Sequence, residues 1–196
     1  MAMVTCSSGA IPAPERHRLS GVATPTRLAG RGVNAASQTS PEAKEPKELI
    51  EIAWRLARLS DDWGVSGSGQ RRSELIVADP SVEAWVIAWP SGSSIELHDH
   101  GESCGAVAVR SGELQETSVA WTYSGELALR NRTLRTGRVV AFEGGHVHDV
   151  VNVRETEAIS IHVYSPPLTS MTYYRVSDGS LQIEESVSYE LGREVI

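Results

Sequence analysis

The feature that most constrains this chain is a train of short β-prone runs set between glycine turns, from about residue 72 to residue 176. Segments 82–89, 105–110, 113–121, 126–134, 138–142, 158–164 and 171–176 are rich in Val, Ile, Thr and Trp. Gly92, Gly112, Gly125, Gly137 and the pair Gly144-Gly145 punctuate them. In Leu127-Ala128-Leu129-Arg130-Asn131-Arg132 apolar and polar residues alternate, as in a strand with one wet face. Many short strands at even spacing predict an all-β barrel or sandwich. No internal repeat is present.

A helix precedes the strands. Segment 40–59 opens with Ser40 as cap, Pro41 at the first helical position and acids in the first turn, with Pro46 delaying or kinking the start. Leu49, Ile50, Ala53, Trp54, Leu56 and Ala57 form an apolar stripe at helical spacing, expected to pack on the core. Residues 64–69, rich in Gly and Ser, link this helix to the strands. Residues 1–40 carry one acid against four arginines and are scattered with small residues; they read as a disordered tail, with an organelle transit peptide as the alternative. The expected organisation is therefore a tail over 1–40 and a helix plus one barrel domain over 41–196. The five tryptophans, Trp54, Trp63, Trp85, Trp89 and Trp121, are expected as packing residues.

Charge narrows the partners. Net charge is −7, and outside the tail 24 acids face 14 basic residues, which excludes a phosphate-backbone partner. No apolar run approaches the roughly 18–20 residues that span a bilayer, so no membrane role is expected. Cys6 and Cys104 are expected to remain thiols, in keeping with a reducing, cytoplasmic setting.

Five of the six histidines fall in or near two glycine-flanked segments. In Ser94-Ile95-Glu96-Leu97-His98-Asp99-His100 the two histidines stand two apart, so on a strand both imidazoles point to one face. His146-Val147-His148 repeats the arrangement, and His162 follows. Paired same-face imidazoles are half of a first-row transition-metal site.

These segments resemble the two motifs of the cupin superfamily, over residues 72–176. Gly92, five intervening residues, His98-x-His100 and then Gly112 match the first motif; Gly137, Gly145, His148 and Asn152 match the second, with Glu143 where Pro is usual. The resemblance implies a double-stranded β-helix (jelly-roll) barrel with an N-terminal helix. It selects His148 over His146 as the third metal ligand beside His98 and His100. It also puts Gly105 in the position usually held by a ligating Glu, which leaves three neutral imidazoles. Within cupins this resembles the cysteine dioxygenase family, in its bacterial type. Ser160-Ile161-His162-Val163-Tyr164-Ser165-Pro166-Pro167 is similar to the family's Ser-x-His-x-Tyr relay and its Ser-Pro-Pro turn.

The resemblance implies an oxidoreductase that binds Fe(II) and transfers both atoms of O₂ to the sulfur of L-cysteine, giving cysteine sulfinate. Tyr164 would meet substrate and oxygen, with His162 and Ser160 orienting it. Arg72, by family spacing, would hold the substrate carboxylate, although adjacent Arg71 points the other way and the choice between them stays open. Cys104, one position off the slot from which animal relatives crosslink to the relay Tyr, should face away, with no crosslink. A monomer is expected. Other small thiols, 3-mercaptopropionate or mercaptosuccinate, remain alternative substrates, and a non-oxidative metal- or sugar-binding cupin remains an alternative class.

Overall fold

The computed structural model describes residues 43–59, 65, 67, 69–190 and 193–195. The expected tail over 1–40, the expected first helical turn with Ser40 and Pro41, and Cys6 and Trp63 lie outside them. The helix α1 spans Pro46–Ala57. Pro46 sits in its first turn, and Glu45 and Glu48 form a reciprocal capping box, so helical backbone starts at Pro46.

Among the described residues twelve strands follow: β1 Arg72–Asp79, β2 Val82–Trp89, β3 Ser94–His98, β4 Cys104–Ser111, β5 Glu113–Trp121, β6 Leu127–Arg135, β7 Val139–Phe142, β8 His148–Val151, β9 Ala158–Ser165, β10 Ser170–Ser177, β11 Ser180–Glu190 and β12 Arg193–Val195. They make two antiparallel sheets, one ordered β1-β2-β9-β4-β7 and the other β12-β11-β10-β3-β8-β5-β6. This is the jelly-roll barrel with an N-terminal helix that the motifs imply.

Two apolar layers hold it together. Between the sheets lie Trp85, Ile87, Trp89, Val107, Val109, Leu114, Leu134 and Phe142. Behind the five-stranded sheet, Leu49 and Ala53 of α1 pack on Ala84, Val86, Ala88, Ala106, Ala108, Ile161 and Val163. The alanines let the helix approach the sheet closely. Strands β2 and β9 therefore have no wet face: β2 is buried at every position. A strand covered on both faces reads as a continuous apolar run, which is how Val82–Trp89 looks in sequence. On β9 the even residues Ser160, His162 and Tyr164 alternate with Ile161 and Val163, which face α1. Polar chemistry is thereby sent to the barrel interior.

Two tryptophans depart from expectation. Trp54 and Trp121 are 47% and 59% exposed, so neither packs in a core.

Candidate metal centre

His98 ends β3 and His100 lies just past it, while His148 opens β8; His98 and His148 are cross-strand partners. All three are buried, and one nitrogen of each lies within 4.8 Å of the others. His98 and His100 approach through their Nε2 atoms at 3.1 Å. The expectation that both histidines of each pair share a strand is half met: in each segment one lies outside the strand, yet the ring positions converge.

Hydrogen bonds on the far side set which nitrogen is free. His98 Nδ1–H donates to the Glu96 carbonyl at 2.7 Å. His148 Nδ1–H donates to Glu116 Oε1 at 2.7 Å. A carbonyl and a carboxylate only accept, so both rings carry their proton on Nδ1 and turn bare Nε2 lone pairs inward. Burial, then the neighbouring imidazoles, push His98 and His100 well below the ordinary histidine range; burial also lowers His148, against the opposing pull of Glu116. Three buried, neutral imidazoles, two of them with their Nε2 lone pairs fixed inward, fit a transition-metal ion.

Position 105 is where the structure refines the sequence reading. Gly105 pairs with both Phe142 and Tyr164 across the sheet. A Cβ placed there would stand 2.2 Å from Phe142 Cζ. The slot that the motif assigns to a ligating carboxylate is thus filled by the Phe142 ring, which stacks on His100 at 5.1 Å. Cys104, one residue earlier, packs in the helix-facing layer and its thiol reaches Glu143 at 3.4 Å, away from the histidines.

The expected relay residues line up on β9 and reach one another. Ser160 Oγ is 2.8 Å from His162 Nε2, and His162 Nδ1 is 3.4 Å from Tyr164 Oη. Tyr164 Oη also stands 3.3 Å from His100 Nε2. Trp89 is the member that sequence reading placed in the packing: its Nε1–H donates to Ser160 Oγ at 2.8 Å. An indole can only donate, so the Ser160 hydroxyl accepts from Trp89 and gives its own proton to His162 Nε2. His162 then carries hydrogen on Nδ1, directed at the Tyr164 oxygen. The phenolic proton is left to point into the site. Burial keeps this arrangement neutral: it holds His162 down to about 3 and raises the Tyr164 phenol well above its ordinary value.

Arg72 lies away from the cavity. It pairs with Ala88, whose side chain lies in the helix-facing layer, and its exposed guanidinium sits 3.7 Å from Glu74. Arg71 is the arginine that lines the cavity, together with His98, His148, His162 and Tyr164. Its guanidinium lies 4.9 Å over the Trp89 ring and reaches the Ser94 carbonyl at 3.4 Å. Arg71 directly precedes Arg72, the first residue of β1, and the two diverge: one guanidinium lines the cavity and the other is exposed.

Two further residues escaped the sequence reading. Glu116 is buried behind His148. Asp99, between the two ligand candidates, accepts from the backbone N–H of Gly101 at 3.0 Å and Thr172 at 3.2 Å, and from the Tyr174 hydroxyl at 2.6 Å, locking the turn that carries His100. A carboxylate at His-x-His spacing was the available signal for Asp99; nothing local marked Glu116. Asn152 of the second motif is structural, donating to the Trp89 and Thr156 carbonyls at 2.7 and 2.8 Å.

Part of this chain is similar to known proteins. Residues 66–177, more than half of the chain, match the family model described as cysteine dioxygenase type I. Cysteine dioxygenase type 1 of Rattus norvegicus is 34% identical over 87 residues, covering 42% of this chain and 44% of the rat protein. The Homo sapiens protein of that name is 33% identical over the same length and shares. The matched stretch thus spans less than half the length of either relative. Among solved structures, a protein with a double-stranded β-helix domain from Klebsiella pneumoniae aligns at TM-score 0.44 and 16% identity, over 65% of this chain and 97% of that one.

Proposed function

Because the chain belongs to the cysteine dioxygenase type I family, we propose that it is an Fe(II)-dependent thiol dioxygenase acting on L-cysteine. The overall conversion adds both atoms of O₂ to one thiol, R–SH + O₂ giving R–SO₂H, and needs no further reductant because sulfur supplies the electrons. The observation that carries the reading is the conjunction, in one cavity, of a buried three-imidazole site, an inward arginine and a neutral phenol.

His98, His100 and His148 would hold the iron, which when bound supplies the O₂ chemistry and a docking point for the substrate thiolate. Arg71 takes the role that family spacing suggested for Arg72. Its guanidinium offers a fork of N–H donors at the cavity wall, suited to a carboxylate, and its seat on Trp89 fixes the approach. Tyr164 presents its O–H beside His100, where it can donate to a group bound at the site and take that proton back through the polarity set by His162, Ser160 and Trp89. Ile87, Ile95, Val150, Leu168 and Met171 wall the cavity and limit water.

The test is an oxygen-uptake panel on iron-loaded protein with cysteine, 3-mercaptopropionate, cysteamine and mercaptosuccinate, with sulfinate quantified. Cysteine should be consumed fastest, with one O₂ taken up per sulfinate formed. No uptake with any thiol would refute the enzyme, and preference for another thiol would refute the substrate.

A further inference from the structure

Strand β5 brings a carboxylate to the back of one metal-ligand candidate. On β5, Glu116 pairs with Val150 of β8, and Ser118 with His148. Val150 belongs to the layer between the sheets, so Glu116 points into the barrel beside His148. Glu116 is 2% exposed, accepts from His148 Nδ1–H at 2.7 Å through Oε1, and is held through Oε2 by the Arg132 guanidinium. His146 Nε2 stands 3.6 Å from the same Oε1, a longer contact than that of His148.

Glu116, His146 and His148 also have the donor set of a second cation site. The occupied lone pairs argue otherwise. One Glu116 oxygen is committed to an imidazole N–H and the other to a guanidinium, and Arg132 sets a positive charge where a second cation would sit.

We propose that Glu116 is a positioning residue that acts on the metal through His148, restoring as an outer-sphere anion the carboxylate that Phe142 excludes at position 105. The inference rests on the metal-centre reading above. By accepting from Nδ1–H, Glu116 fixes the tautomer and plane of His148 and makes its Nε2 a stronger donor. Residues in this role commonly change metal affinity by about 10- to 100-fold when replaced. The arginine tempers the effect: its charge draws electron density away from the carboxylate, so Arg132 and Glu116 should act in opposite directions.

The experiment titrates Co(II) into the metal-free full chain and follows binding by calorimetry and by the visible absorption of the bound ion. Glu116→Gln keeps an acceptor for His148 but removes the charge, and should weaken Co(II) binding about 10- to 100-fold and shift the absorption bands. Arg132→Gln, at a half-exposed position, should leave the dissociation constant unchanged or lower it. Glu113→Gln, also on β5 but paired with Arg135 and Arg154 at the surface, is the control and should match wild type. Glu116→Gln within threefold of wild type overturns the proposal. So does weaker binding in Arg132→Gln, because a merely structural ion pair would lose affinity from either side. If Glu116→Gln does not fold, Arg132→Gln alone decides by the same criterion. Failure of wild type to bind Co(II) removes the metal-centre reading itself, whereas wild-type binding with an indifferent Glu116→Gln removes only the role of Glu116.

Discussion

Arg71 and Arg72 are chemically identical and one position apart, so their separate substitution isolates what strand direction does. Arg71→Ala removes the guanidinium from the cavity and should cost about 10- to 100-fold in kcat/KM for cysteine, the range expected for lost hydrogen bonds to a charged group. Arg72→Ala removes an exposed partner of Glu74 and should stay within about twofold, since surface pairs contribute little. Cysteamine, which has no carboxylate, should be indifferent to both. Equal losses in the two variants would refute the assignment. Trp89 sits at the junction of both functions, under Arg71 and bonded to Ser160. Trp89→Phe keeps an aromatic face and deletes the N–H, freeing the Ser160 hydroxyl to turn. Steady-state kinetics should then show kcat falling roughly 3- to 10-fold, a single neutral hydrogen bond's worth, with KM for cysteine little changed. A rise in KM with kcat intact would place Trp89 in substrate binding instead.

At the scale of elements, the decisive contact is between β4 and β7. Gly105→Cys would press a side chain into the Phe142 ring, and overpacking of this kind costs about 1–3 kcal/mol. For a chain of this size that is a fall of roughly 2–10 °C in Tm, read by thermal melting of the metal-free protein. An unshifted Tm would show that Phe142 can yield. Seven strands were legible: runs of β-branched residues between glycines put β2 and β5 at their observed bounds and β4, β6, β7, β9 and β10 within one residue, whereas β11, beyond the last run, was missed. Helical backbone starts at Pro46, the residue expected to delay or kink the start, with a Glu45–Glu48 capping box in front of it. The Ser160-His162-Tyr164 face was legible too, because period-two spacing on β9 converts directly into a shared face; the histidine pairs were legible as clusters, although His100 and His146 lie just outside their strands. Three things were not. Glu116 reaches His148 only through the β5–β8 register, which has no local trace. That Arg71 rather than Arg72 lines the cavity depends on which partner β1 faces, with a register shift between Leu75 and Val77. The filling of position 105 depends on a ring 37 residues downstream in sequence, so a missing carboxylate looked like an open position.

For the molecule as a whole, burying four imidazoles at its centre makes stability depend on pH. His98, His100, His148 and His162 are all held below the ordinary histidine value in the fold, burial being the first cause in each. In the unfolded chain each takes a proton near pH 6.5. Below that pH the unfolded state binds more protons than the fold, so stability must fall as pH falls, by about 1.4 kcal/mol per pH unit for each group that stays neutral in the fold. For His162 this loss runs from about pH 6.5 down to about 3. Above pH 6.5 both states are neutral and the term is flat. Glu116 adds a second, more acidic window. Burial pushes its carboxyl up, but His146, His148 and Arg132 together hold it well below the carboxylate range, so its stabilisation is present above about pH 4.3 and is lost on further acidification. The Tm of the metal-free protein should therefore be level from pH 8 to 7 and drop increasingly steeply from 6.5 to 5. His162→Gln, which cannot titrate, should shed part of that slope while starting from a lower Tm. A bound metal opposes the drop, because it prefers the deprotonated ligands, until protons compete it away. Melting curves of metal-free and metal-loaded protein across this range decide the matter: coincident, pH-independent Tm values between 7 and 5 would mean that the imidazoles are not held neutral by the fold.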